Sequence, residues 1–220
     1  MSRKGHQGFT LVELLIVMFI IGVLTVAIII NFNRGDKTQD LRSVSTQLVQ
    51  QLRFAQAYAT GGNSINFCRQ GSSDNEYESC ADDVFCGGGA GDCTNGVPPG
   101  GYGIHFSAVS SYMLFADTNT LQHSYSTEEP IIRREDTQQT NVGVTAYRVG
   151  ADTYVPQTNP LDVVFTPPTG VISFHIDGAP VTETEVALLV KHGELDSVCK
   201  KITINRVSNH ISETQSNCTL

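Results

Sequence analysis

The sequence predicts an α+β protein. Its elements are one long N-terminal helix, transmembrane in its first half and amphipathic in its second, and an antiparallel β-sheet or sandwich on which the second half packs. Three observations predict it. Residues 9–32 are largely apolar and carry a single charge, Glu13. Residues 36–60 space their apolar side chains by three and four. From about residue 101 onward, short strand-like runs are separated by proline, glycine and aspartate.

The first run, FTLVELLIVMFIIGVLTVAIIINF, is long enough to cross a bilayer as a helix. A carboxylate inside such a helix is costly, so Glu13 needs a partner. The first helical turn also favours a negative charge electrostatically. Residues 1–8, MSRKGHQG, are polar and include Arg3 and Lys4. Basic residues before the helix keep the N-terminus cytoplasmic and send the bulk of the chain outward.

The second helical pattern places Leu41, Val44, Leu48, Leu52, Ala55 and Ala59 on one stripe. Asp36 and Asp40 stand near its start, and Gly61-Gly62 ends it. Gly35 is expected to loosen the junction between the halves. The exported domain then covers 61–220 and opens with a loop, 63–100, rich in cysteine and glycine. That loop cannot bury much apolar surface, and Cys68, Cys80, Cys86 and Cys93 offer cross-links to order it. Four cysteines allow three pairings, and all three stay open. Zinc is the competing use, opposed by the absence of a C-x-x-C pair. The run Gly87 to Gly91 lacks the sequence context of a phosphate loop.

Strand-like runs are Tyr102 to Phe106, Ser111 to Asp117, Val142 to Val149, Asp162 to Thr166, Val171 to Ile176, Glu185 to Lys191 and Lys200 to Val207. An expected turn at Ser208-Asn209 and a return run from His210 complete a C-terminal hairpin, which can bring Cys199 and Cys218 together. The alternative is that either cysteine pairs into the 68–93 loop.

The chain has 220 residues and a formal charge of −8. An acidic exported domain disfavours general binding to nucleic acid or to anionic membranes. Six cysteines in a membrane-anchored chain point to an oxidising compartment. Asp117, Asn119 and Glu128 match positions one, three and twelve of a calcium loop, but Leu121 and Gln122 occupy two of its key positions. The alternative is an acidic surface turn, and no cofactor is otherwise expected. His105 and His175 fall in strands and are expected to face solvent or to make ordinary hydrogen bonds. Arg133-Arg134 and Lys200-Lys201 with Arg206 are the basic clusters; consecutive lysines in a strand point to opposite faces. Nothing resembles a catalytic frame, so an enzyme is not expected.

The N-terminus resembles that of type IV prepilins. The residues that carry the resemblance are Gly8, Phe9 and Glu13, with Thr10, Leu11, Val12, Leu14, Leu15 and Gly22 fitting around them. The resemblance implies cleavage of the leader 1–8 by a prepilin peptidase after Gly8 and methylation of the new Phe9 amine. It implies that Glu13 meets the Phe9 amine of a neighbouring subunit during assembly, on an inner-membrane platform, into a pilus or pseudopilus. GYGIHF, SYMLFAD, PTGVISF and KKITINRVSNHIS resemble the GspH/FimT-type minor pilins and pseudopilins, and LRFAQAYA resembles the end of that group's long helix. A C-terminal disulfide is common among pilins, which favours Cys199–Cys218. The expected role is a minor pilin or pseudopilin of a type IV pilus or type II secretion system. The alternatives are a DNA- or surface-binding tip pilin and a membrane-anchored enzyme.

Overall fold

The computed structural model describes residues 10–68, 80, 86–87, 93–94, 100–117, 124–125, 131–136, 141–216 and 218; of residues 27–34, 94, 108, 131 and 133–136 it describes the backbone alone. Two compact units divide the chain, Met1–Gln39 and Asp40–Leu220. Helix α1, Leu11–Gly61, runs through both and is unbroken at Gly35. One interior glycine costs only about 1 kcal/mol against a ladder of helical hydrogen bonds, so the helix continues through it.

In the first unit the apolar side chains from Leu11 to Val26 are all exposed. Among the described residues no helix is long and apolar enough to cross a membrane. The apolar run continues in the sequence from Ala27 to Phe32, where side chains lie outside the description.

The C-terminal end of α1 is held by a Schellman arrangement. Gly62 takes a positive φ of 61°. Its amide donates to the Ala59 carbonyl at 3.3 Å, and the Asn63 amide donates to the Tyr58 carbonyl at 3.4 Å. The Asn63 carbonyl then accepts from the Tyr102 hydroxyl, so the helix end is tied to the first long strand.

Thirteen strands follow α1 among the described residues. They are β1 (Phe67–Cys68), β2 (Cys93–Thr94), β3 (Gly101–Ala108), β4 (Ser111–Asp117), β5 (Ile131–Asp136), β6 (Val142–Val149), β7 (Val155–Pro156), β8 (Leu161–Thr166), β9 (Val171–Ile176), β10 (Ala179–Val181), β11 (Glu185–His192), β12 (Cys199–Asn205) and β13 (His210–Ser216). A six-stranded sheet has the order β10-β9-β8-β3-β4-β5, and a five-stranded sheet the order β13-β12-β11-β6-β7. Every pairing is antiparallel. Pro156, one of the prolines that separate the strand-like runs, itself lies in β7, a two-residue edge strand that needs few backbone donors.

One core joins the α1 stripe to both sheets. Leu41, Val44, Leu48, Leu52, Ala55 and Ala59 pack with Tyr102, Ile104, Phe106, Val163, Phe165 and Phe174 of the larger sheet and Val186, Leu188, Val190, Ile202 and Ile204 of the smaller. In β6 the core-facing residues are Val142, Val144, Tyr147 and Val149, which breaks strict alternation. A bulge at Thr145 explains the change of phase: Leu189 pairs with Ala146 and Val190 with Val144, leaving Thr145 as the extra residue.

Two outcomes follow from this packing. Leu48→Ala should cost about 2–5 kcal/mol of domain stability, because the stripe is enclosed by both sheets and cannot collapse freely; equilibrium denaturation measures it. The Tyr102 hydroxyl is pushed up to about 12, by burial first and by the neighbouring Tyr58 second. The folded state therefore holds a proton that the unfolded chain releases near pH 10, so this contribution is complete below about pH 10 and is lost as pH rises toward about 12. Tyr102→Phe should flatten the stability profile in that window, read by denaturant melts from pH 9 to 12.

Candidate functional site

The N-terminal turn of α1 is a capping box. Thr10 precedes the helix, and its amide and hydroxyl each lie 3.0 Å from Glu13 Oε2. The Glu13 amide returns a bond to Thr10 Oγ1 at 3.3 Å. This reciprocal pattern satisfies amides that a helix start leaves without intrahelical partners. The sequence carries its signature, Thr-x-x-Glu, at residues 10–13. Glu13 thus has a partner inside its own chain, at the start of an exposed apolar run. Gly8 and Phe9 lie outside the described residues.

All six cysteines are paired in the structure: Cys68 with Cys86, Cys80 with Cys93, and Cys199 with Cys218. The last bond closes the β12–β13 hairpin opposite its turn. It lies on the outer face of the smaller sheet, in a small cluster with Ala146, Leu189 and Tyr154.

On the outer face of the larger sheet, of the two expected uses of His105, an ordinary hydrogen bond is the one observed. His105, Asp162 and His175 are direct partners across β3, β8 and β9. They are buried, at 9%, 3% and 5% exposure, and neither histidine faces solvent. His105 Nδ1 lies 2.6 Å from Asp162 Oδ1. Asp162 Oδ2 accepts from the Tyr125 amide at 3.1 Å, and the Tyr125 ring stacks on His105 at 4.3 Å between centroids. A residue distant in sequence from these strands covers this face, so the alternation within β3 carried no signal of burial.

Asp117 is fully buried at the end of β4, opposite Gly101, and is not part of a surface turn. Asn119 and Glu128, the other calcium candidates, lie outside the described residues. Two of the basic residues are engaged. Lys200 Nζ lies 2.9 Å from Glu213 Oε1, which also lies 3.0 Å from the hydroxyl of buried Ser45 on α1. The Arg206 guanidinium donates to the carbonyls of Val181, at 3.3 Å, and Thr182, tying the β12–β13 turn to the end of β10. Side chains of Arg133 and Arg134 are outside the description. An extended row of uncommitted cations, which phosphate binding needs, is not found among the described residues.

A family model described as the prokaryotic N-terminal methylation motif matches residues 3–29. The matched stretch holds Gly8, Phe9, the Thr10–Glu13 box and most of the exposed apolar run. Comparison with curated proteins finds no match, and neither does comparison with solved structures.

Removing the covalent closure of the C-terminal hairpin by Cys199→Ser with Cys218→Ser should lower domain stability by about 3 kcal/mol, the chain-entropy expectation for a loop of this length. Asp162→Ala should cost about 2–4 kcal/mol, because it leaves a buried imidazole and a half-buried amide without their acceptor. Denaturant titration of each variant checks both values.

Proposed function

Starting from the prepilin-type N-terminus that this chain carries, we propose that the protein is a structural subunit of a type IV pilin-like filament, a minor pilin or pseudopilin of a type IV pilus or a type II secretion system. The observation that carries the reading is the Thr10–Glu13 box at the head of the exposed apolar half of α1, inside the matched motif. Before assembly the apolar side chains need lipid, so the precursor sits in the inner membrane with its sandwich domain outside the cytoplasm. A prepilin peptidase cuts after Gly8, and the Phe9 amine is methylated. Loss of Arg3 and Lys4 takes the formal charge from −8 to −10 before the new amine is counted.

In the filament, lipid is replaced by the apolar helices of neighbouring subunits. Glu13 then meets the Phe9 amine of a neighbour, which offsets the cost of enclosing a carboxylate and sets the register between subunits. Within one chain Thr10 already supplies Glu13 with two donors. The carboxylate is therefore stabilised while it waits in the membrane. The commitment of Lys200 and Arg206 to Glu213 and to backbone carbonyls favours this structural role over recognition of DNA at the C-terminal hairpin.

Mass spectrometry of the native protein should find an N-terminus at Phe9 carrying one added methyl group; a chain still beginning at Met1, or one cut beyond residue 30, rejects the reading. Glu13→Ala should insert in the membrane and be cleaved as usual, while its incorporation into filaments falls sharply. Quantitative blotting of sheared filaments against the membrane fraction measures this, and normal incorporation would remove Glu13 from the assembly contact.

A further inference from the structure

The four cysteines between α1 and β3 are gathered more closely than two separate cross-links require. Their bonds interleave, Cys68–Cys86 with Cys80–Cys93. Cys68 also stands directly opposite Cys93 in the β1–β2 ladder. The Cys80 amide donates to the Asn66 carbonyl at 3.1 Å, which draws the second pair toward β1. The Sγ atoms of Cys68, Cys80 and Cys86 consequently lie within 4.8 Å of one another, and Cys93 is bonded to Cys80.

A closed four-thiolate zinc centre has Zn–S bonds of about 2.3 Å, hence sulfur–sulfur edges of about 3.8 Å. Three of the sulfurs already lie within reach of that size, and the fourth is bonded to one of them. Opening the two S–S bonds frees each pair to spread to such an edge. Cys68 and Cys86 are fully buried and Cys80 is half-buried, so the site is shielded yet reachable. We propose that Cys68, Cys80, Cys86 and Cys93 form a binding site for zinc, or another thiophilic divalent cation, when their disulfides are reduced. Metal and disulfides are then alternative cross-links of the same loop, chosen by the redox state of the surroundings.

The chemistry balances with a named reductant. Each disulfide takes two electrons from a phosphine, which leaves as its oxide with an oxygen from water, and yields two thiols. The four thiols bind one zinc ion and release four protons. Two molecules of a small disulfide oxidant take up the four electrons and four protons and leave as four thiols, while the two S–S bonds re-form and the metal is expelled. Thiolate ligands select zinc over oxygen-preferring cations such as calcium or magnesium. Cys199 and Cys218 supply only two sulfurs, in a separate cluster of the smaller sheet, and do not make such a site. None of the four loop cysteines belongs to the main core cluster, and the sandwich is expected to stay folded when they are reduced.

The test uses the full chain in detergent, reduced with a water-soluble phosphine, and cobalt(II) as the probe. The expected result is thiolate-to-cobalt charge transfer in the near ultraviolet with the visible bands of a tetrahedral site, saturating at one cobalt per chain and bleached by zinc. The unreduced chain should show none of this. Cys199→Ser with Cys218→Ser should keep the bands, and Cys68→Ser with Cys80→Ser should lose them, with circular dichroism reporting the sandwich in each case. A reduced chain without the bands, whether folded or not, overturns the proposal. Bands of equal intensity in the Cys68→Ser, Cys80→Ser variant overturn it as well. Neither result bears on filament assembly, which is read at Phe9 and Glu13.

Discussion

The domain depends on the burial of one helical stripe. Leu41, Val44, Leu48, Leu52, Ala55 and Ala59 fill the space that two sheets leave between them, and both inner faces close on the same side chains. Neither sheet has another described apolar surface of that size to cover it. The stripe therefore dictates which residues of each strand must face inward. The Thr145 bulge meets that demand locally, since without it Tyr147 and Val149 would point away from the core. Polar contacts finish the placement. The Ser45, Lys200 and Glu213 cluster and the Gln56 bond to the Asn209 carbonyl, at 3.1 Å, fix the last turns of the helix against the C-terminal hairpin.

Much of this was legible in the sequence because periodicity reports burial directly. The α1 stripe has the helical period over its whole length, and β6 and β9 occupy the runs that alternation and flanking breakers mark out. β5 and β10 were not legible. The first is a charged edge strand, IIRRED, and the second a three-residue strand containing Pro180, so neither has an apolar alternation to read. The same limit applies to the polar groups. His105, Asp162 and His175 look like the wet side of a sheet, and the Tyr125 contacts to the first two are made only in three dimensions.

At the N-terminus the legible part is chemical. A threonine three residues before a lone glutamate is a local signal, and the bonds between them are made within a single turn. The pairing of the four loop cysteines is the opposite case. Their spacing left three pairings open, and the bonds formed, Cys68–Cys86 and Cys80–Cys93, join residues that no sequence pattern brings together.

The closed C-terminal hairpin has a mechanical meaning. β13 is an edge strand whose backbone ladder runs to β12 alone, and an edge strand peels most easily from a free end, one bond at a time. Here one end of β13 is joined to β12 by its turn and the other lies beside the Cys199–Cys218 bond. The two strands form a covalent ring with no loose end to start the peel. Tension on the domain must then strain several hydrogen bonds of the ring together, and this border of the smaller sheet yields late.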